Sequence, residues 1–292
     1  MAEPSPVELV LCLCSQPRGD LSYPQLRSNH DTKESFLLNF AIQTARDAGS
    51  LLAARFGHNV RISNKSELDL VTESDLASER LIIDRIKTHY PRHVILAEES
   101  GASSNTNEGT PEWRWVIDPL DGTTNYAHGY PCFCVSMGLE HRGRLHLGVI
   151  YDPIRDEMFS AERGEGASLN GKRIQVSRNR SLSSALLCTG FPYDVRERSE
   201  FARHFTNFIM NAQGVRRDGA AALDLAYVAA GRFDGFWEED LKPWDVAAGV
   251  LIIEEAGGRV SNYRNEPFDI HTPPILASNG LIHEQMMQVL AA

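Results

Sequence analysis

The chain has little cysteine: five residues in 292, an odd number. Cys12 with Cys14, and Cys132 with Cys134, lack zinc-knuckle spacing and have no second pair nearby. Free thiols in a reducing compartment are the simplest reading. Long hydrophobic runs are also missing. Val7–Cys14 is apolar but far too short to span a membrane. It follows Glu3 without a basic segment, so it makes a poor secretory signal, and the chain reads as cytoplasmic with no membrane partner. Positive charge is in deficit: 29 Lys and Arg against 39 Asp and Glu leave a net charge of −10. That balance argues against direct nucleic-acid binding. No internal repeat or low-complexity tract stands out.

What remains is the composition of a folded α and β protein, long enough for one large domain or two small ones. Residues 1–33 carry Pro4, Pro6, Pro17 and Pro24 without a clean period, and read as a loosely ordered extension. A domain over 34–292 follows, with subdomains at about 34–180 and 181–292. Asp31 with Glu34 fits a capping box. Phe36, Leu37, Phe40, Ala41, Ala45, Ala48, Leu51, Leu52 and Phe56 then recur at helical spacing up to Gly57. A second helix is expected over 75–89, capped by Ser74 or Asp75, with Leu76, Ile82, Ile83 and Ile86 as its buried stripe. His93–Ala97 and Trp113–Ile117 read as buried strands. The loop 101–110 between them is rich in Gly, Ser, Asn and Thr and is expected to be mobile.

From Phe133 to Val176 the pattern is that of an antiparallel meander, with Asn170-Gly171 as a hairpin turn. Beyond it, strands are expected at 186–189, 233–237, 258–263 and 275–278. Helices are expected at 196–212, 220–230, 244–256 and from about 281. This mixture favours layered α and β elements over a pure parallel barrel.

The most informative run is Trp115-Val116-Ile117-Asp118-Pro119-Leu120-Asp121-Gly122-Thr123-Thr124-Asn125. An apolar strand ends in two carboxylates, and a Gly-Thr-Thr turn follows. Hard cations take oxygen ligands, which carboxylates at a strand end provide. A turn or helix start offers free N–H groups to an anion. On a regular strand Asp118 and Asp121 would face opposite ways, so Pro119 must break the pattern for both to reach one site. The Leu120 carbonyl then becomes a possible third oxygen ligand. Glu98 follows another strand, and Asp245 opens a helix. Carboxylates gathered inward repel one another unless cations neutralise them. Aspartyl-phosphate enzymes use D-x-D-x-[TV], whereas the spacing here is D-x-x-D-G-T. The chemistry indicated is direct attack by a metal-activated water. Each carboxylate alone could equally be a surface charge. His128, Trp237, Trp244 and Met286-Met287 read as surface, neighbouring or packing residues.

Asp118-Pro-Leu-Asp-Gly-Thr-Thr-Asn125 resembles the first signature of the inositol monophosphatase family. Trp244-Asp-Val-Ala-Ala-Gly249, continuing to Glu255-Ala-Gly-Gly258, resembles the second. Ala97-Glu-Glu-Ser100 and Asp69-Leu-Val-Thr72 with Asp75 are similar to its upstream segments. The resemblance spans about 35–292, and it implies an αβαβα sandwich of the inositol monophosphatase and fructose-1,6-bisphosphatase type. It implies two or three Mg2+ ions: Glu98, Asp118 and the Leu120 carbonyl for the first, and Asp118, Asp121 and Asp245 for the second. Glu98 would share a weaker third ion through water. Gly122 and Thr123 would bind phosphate, and Thr123 with Asp75 would position or deprotonate the attacking water. Asp121, Arg216, Gly219, Ala220, Glu238 and Asp245 would contact substrate hydroxyls. Lys65 corresponds to a lysine near the metal loop. The segment Arg216–Gly231 is similar to bacterial members, and Asp218 and Ala220 stand where the family varies.

The activity implied is Mg-dependent hydrolysis of inositol monophosphate or a similar small polyol phosphate by a lithium-sensitive homodimer. Alternatives on the same fold act on fructose 1,6-bisphosphate, histidinol phosphate or a 3′-phosphorylated nucleotide. A non-enzymatic alternative is a regulatory protein that binds the transcription machinery.

Overall fold

A computed structural model describes residues 29–58, 62–64, 70–102, 110–191 and 200–292, with side chains described outside 29–35 and 62–64. The elements in order are α1 (Asn29–Arg55), β1 (Ile62–Asn64), β2 (Leu70–Thr72), α2 (Glu73–His89), β3 (Val94–Ala97), β4 (Gly101–Ala102), β5 (Trp113–Asp121) and α3 (Thr123–Ala127). The meander is β6 (Cys134–His141), β7 (Arg144–Asp152), β8 (Glu157–Glu162), β9 (Gly166–Leu169) and β10 (Lys172–Arg173). There follow β11 (Leu186–Thr189), α4 (Glu200–Asn211), β12 (Gly214–Arg216), α5 (Ala221–Ala229), β13 (Gly235–Glu238), α6 (Pro243–Glu255), β14 (Arg259–Ser261), β15 (Ile275–Ser278) and α7 (His283–Ala291).

Two large sheets are stacked with helices between and outside them. The first runs β10-β9-β8-β7-β6-β5-β3-β4 and the second β12-β11-β13-β15-β14. On the first sheet, Trp115, Ile117, Phe133, Val135, Met137 and Val149 share one core with Leu37, Ala41, Ala45, Ala48 and Leu52 of α1 and Ile82 and Ile86 of α2. Alternation sends Val116, Cys134, Ile150 and Phe159 to the opposite face, where α5 and α6 lie. The same helices cover Cys188, Phe236, Ile275 and Ala277 of the second sheet. Its outer face packs Leu187, Trp237 and Leu276 against Phe208 of α4 and Met286 and Leu290 of α7. The layers are therefore αβαβα, as expected. The Phe208 and Trp237 rings stack at 3.9 Å, so Trp237 is a core residue.

Helix α6 lies unusually close to the first sheet. A Cβ at Gly148 would stand 2.6 Å from the Ala248 carbonyl oxygen, and one at Gly138 would stand 2.8 Å from the Ala247 Cβ. Two glycines on one sheet face thus let a helix backbone approach, and its first turn is carried over the end of β5.

Several local expectations need correcting. α1 begins at Asn29, before Asp31, and the side chains of Asp31 and Glu34 lie outside the described ones. α2 is capped by Thr72, whose side chain accepts from Ser74 N–H while Asp75, at the third helical position, accepts from Thr72 N–H. The Ser74 or Asp75 assignment was late because Thr72-x-x-Asp75 is itself the box. Leu76 is 49% exposed and not part of the buried stripe. Of the loop at 101–110, the described part pairs β4 with β3, and 103–109 lie outside the described residues. β12 was missed, because three residues along a sheet edge carry too little alternation to register. Asn170 and Gly171 do form the β9–β10 turn, both at positive φ. Among the described residues no helix is long and apolar enough to cross a membrane.

Candidate functional site

The ends of β3 and β5 build the centre of the site. These strands are parallel with Ala97 opposite Ile117, and Glu98 N–H donates to the Ile117 carbonyl at 3.2 Å. Glu98 and Asp118 therefore leave neighbouring strands at the same level. Against β6, Asp118 pairs with Ser136 but Asp121 pairs with Cys134. Three steps along β5 oppose two along β6, which is a β-bulge at Pro119-Leu120. The extra residue restores Asp121 to the face of Asp118. Asp118 accepts from the Leu120 N–H at 3.0 Å, and Ser78 Oγ donates to the Pro119 carbonyl at 2.8 Å, so both ends of the bulge are tied down. Glu79 accepts from the Glu99 N–H at 2.8 Å and holds the end of β3 in the same way.

The remaining groups arrive from helix starts. Asp245 sits in the first turn of α6, after Pro243, and accepts from the Lys242 N–H at 2.7 Å. Asp121 accepts from the Ala222 N–H at 2.8 Å. It thereby caps α5, whose own N-cap residue Ala220 has no capping side chain. That bond draws the segment before α5 against the site. Asn125 tightens it by donating to the carbonyls of Cys132 and Asp218 at 2.8 Å and of Gly219 at 3.2 Å. Thr123, at the start of α3, donates its hydroxyl toward Asp75 Oδ1 at 2.9 Å and the Leu120 carbonyl at 3.0 Å. Asp75 also receives the N–H and hydroxyl of Thr72.

The electrostatics are those of crowded like charge. Burial raises Asp118 well above the ordinary carboxylate range, and Glu98, Asp121 and Asp245 raise it further. Burial pushes Asp121 up to about 7; hydrogen bonds from the Ala222 N–H and Cys134 hold it down, and the Glu98 charge adds to the rise. Asp245 rises through burial and through Asp121 and Glu98. Asp75 rises through burial, partly offset by Thr72 and Thr123. Among the described residues no three such side chains already converge into a coordination sphere. The donor set still fits divalent cations. Buried acidic oxygens that raise one another's proton affinity are what a hard cation neutralises. The carboxylates here, with the Leu120 carbonyl beside them, are all-oxygen.

The structure thus brings together Glu98, Asp118, Leu120, Asp121, Gly122, Thr123, Asp75 and Asp245. Glu238 ends β13, is buried, and feels Asp245 and Asp121 after burial itself, with Arg217 opposing them. Gly219 and Ala220 lie beside Asn125 and Gly122. Arg216 is different: it is exposed on the edge strand β12, and its guanidinium donates to the Val215 carbonyl at 3.3 Å. It is the next residue, Arg217, whose charge acts on Glu238 and on Asp224. His128 is exposed just past α3. Lys65 and Asp69 lie outside the described residues. Asp224 was missed. It is 1% exposed in α5, and its Oδ1 has no hydrogen-bond partner. A lone Asp in an Ala/Leu-rich helix is the only signal it leaves in the sequence. Cys132, Cys134 and Cys188 are buried free thiols, and burial raises each of them.

The pattern of the inositol monophosphatase family matches residues 33–292. The chain belongs to the inositol monophosphatase family. It is 46% identical to an inositol-1-monophosphatase of Synechocystis sp. over 257 residues, covering 87% of this chain and 88% of that one. It is 44% identical to the Nus factor SuhB of Pseudomonas aeruginosa over 248 residues, covering 83% and 91%. The solved inositol monophosphatase of Anabaena superposes with a TM-score of 0.80 at 46% identity, covering 89% and 96%. Membership makes the chain a phosphatase by family and gives it the layered fold described above.

Proposed function

We propose that this phosphatase is a Mg-dependent phosphomonoesterase that hydrolyses inositol monophosphate, or a closely similar polyol monophosphate, to the alcohol and phosphate. The observation that carries the reading is the bulge that turns Asp118 and Asp121 to one face beside Glu98 and Asp245. Glu98, Asp118 and the Leu120 carbonyl would hold one ion, and Asp118, Asp121 and Asp245 a second. Bound there, the ions supply positive charge for phosphoryl oxygens and acidify a water at neutral pH.

The chain's own groups do the rest. Asp75 is buried and accepts the Thr123 hydroxyl, which leaves the lone pairs of Thr123 to accept from an attacking water. Thr123 takes that water's proton toward Asp75, whose raised proton affinity suits a base. Gly122 and Thr123 present backbone N–H groups to phosphate, and Gly122 holds φ of +90° to open the turn. Glu238 and the segment 219–220, drawn in by Asp121 and Asn125, face the alcohol. A protein-binding role beside catalysis is supported by relatives named Nus factor SuhB at nearly the same identity as the phosphatase relative.

Phosphate release measured across inositol 1-phosphate, fructose 1,6-bisphosphate, histidinol phosphate and a 3′-phosphorylated nucleotide tests the substrate. The reading expects the highest kcat/KM for inositol 1-phosphate. Preference for any of the others would replace it.

A further inference from the structure

The segment 239–242 runs from the end of β13 to the start of α6, just ahead of Asp245. Its last residue, Lys242, gives its N–H to the Asp245 carboxylate at 2.7 Å and accepts the Asp245 N–H on its carbonyl at 3.1 Å. The path of the segment therefore sets the direction of the Asp245 carboxylate. That path contains a strained turn. Asp240 holds φ of +66°, in the left-handed region that crowds the Cβ of an L-residue. Asp tolerates this region better than most residues, yet only glycine holds it freely. Such a conformation persists where its surroundings fix it. Lys242 Nζ stands 3.6 Å from Asp240 Oδ1, but both side chains are well exposed, and a surface pair of that kind holds little.

A firmer anchor comes from α4. Phe208 stacks on Trp237 of β13 and fixes the helix to the outer face of the second sheet. His204 lies one turn earlier in α4, and Glu239 lies two residues past Trp237, so both repeat the same facing. The two elements thus meet a second time, with His204 Nδ1 on Glu239 Oε1 at 2.9 Å. The His204 side chain is 6% exposed and that of Glu239 18%. Arg203 Nη2 stands 3.1 Å from the other ring nitrogen, Nε2. A guanidinium only donates, which assigns Nε2 as the acceptor and Nδ1 as the N–H that Glu239 receives. Tyr263, just past β14, closes the imidazole from a third side, edge to face at 5.6 Å.

We infer that His204 is a positioning residue for Asp245. Its Nδ1–H holds Glu239, Glu239 fixes the start of the left-handed turn at Asp240, and the turn delivers the Lys242 N–H to the Asp245 carboxylate. Loss of the first hydrogen bond frees Glu239 to turn toward solvent. Asp240 then relaxes out of the left-handed region, and the Asp245 carboxylate loses its alignment. This rests on the reading of Asp245 as a Mg2+ ligand, and it extends the support of that ligand to a helix on the outer face of the second sheet. The same logic names the compensating change. Asp240→Gly keeps the turn without needing the anchor.

The test is Mg2+ binding to chelated protein without substrate, by isothermal titration calorimetry, together with the melting temperature. It compares the wild type with His204→Phe, His204→Asn, Glu239→Ala, Asp240→Gly and the His204→Phe/Asp240→Gly double variant. His204→Phe keeps a ring but has no donor, and Glu239→Ala removes the acceptor. Each is expected to weaken Mg2+ binding by about 5-fold or more. His204→Asn, whose amide N–H takes the place of Nδ1–H, restores most of the affinity. Asp240→Gly alone binds Mg2+ as the wild type does, and the double variant recovers the affinity that His204→Phe loses. Glu239→Ala carries the test should His204→Phe not fold. Wild-type Mg2+ affinity in either folded variant, with only the melting temperature lowered, would overturn the inference and leave His204 a packing residue. So would a double variant that binds as weakly as His204→Phe. A wild type that binds no Mg2+ would instead overturn the ligand assignment on which the inference rests.

Discussion

At the scale of single residues the site is an argument about charge. Asp118 is buried among Glu98, Asp121 and Asp245, whose charges raise its proton affinity after burial itself, and Glu98 does the same to Asp121 and Asp245. Like charges gathered for function reduce stability when nothing balances them. In chelated protein, Asp118→Asn is expected to raise stability by about 1–2 kcal/mol. The Leu120 N–H keeps its acceptor in that variant. Excess Mg2+ should then raise the melting temperature of the wild type and leave the variant nearly unmoved. A thermal scan with and without the ion reads both effects, and equal shifts in the two proteins would count against the ligand assignment. Thr123 gives a second residue-scale expectation. Thr123→Val keeps the shape but loses the hydroxyl between Asp75 and the Leu120 carbonyl. It should cost about two to three orders of magnitude in kcat with KM little changed. Steady-state kinetics in which KM rises and kcat holds would assign Thr123 to binding instead.

At the scale of elements, what was legible in the sequence depended on how far each signal reached along the chain. α1, the meander and α6 carry long periods, and they are where the pattern placed them. The D-x-x-D spacing showed that the strand had to break, and the break is a bulge, held by Ser78 from α2. The partner β6 decides that register, and no reading of residues 113–121 alone contains it. Likewise Asp121 caps α5 from a distance in the chain, so neither the cap nor the approach of 216–221 to the site could be read locally. Arg216 and Arg217 are neighbours of one type, and only the edge strand tells them apart. Gly148 shows how an element carries a ligand. Gly148→Ala should push Ala248 and α6 off the sheet, because its Cβ would stand 2.6 Å from a backbone carbonyl that cannot move alone. The expected loss is about 1–3 kcal/mol of stability, with activity falling further as Asp245 is displaced. Wild-type melting and turnover in that variant would mean the close packing does not position α6.

At the scale of the whole molecule, acid sensitivity comes partly from outside the site. His283 is fully buried where β14, β15 and α7 meet, with one ring nitrogen on Ser278 at 2.8 Å and the other on Ser261 at 2.9 Å. Burial, and then Arg259, lowers its pKa from 6.5 to about 4. Between those two values the unfolded chain takes up a proton that the folded protein refuses. The stabilisation is whole above pH 6.5 and is lost as the pH falls toward 4. It amounts to roughly 3 kcal/mol at full extent. His283→Asn should flatten the fall of stability across that window relative to the wild type, and parallel curves in denaturant titrations would exclude His283 as the cause. The same molecule concentrates unbalanced negative charge where two sheets and three helix starts converge, and the central claim is that Mg2+ balances it to hydrolyse a polyol phosphate. The most direct test is phosphate release from inositol 1-phosphate as Mg2+ is titrated into chelated wild-type and Asp118→Asn protein. The account predicts no turnover without the ion, saturable activation of the wild type, and a variant slower by orders of magnitude though folded. Activity independent of Mg2+, or a variant near wild-type rates, would contradict it.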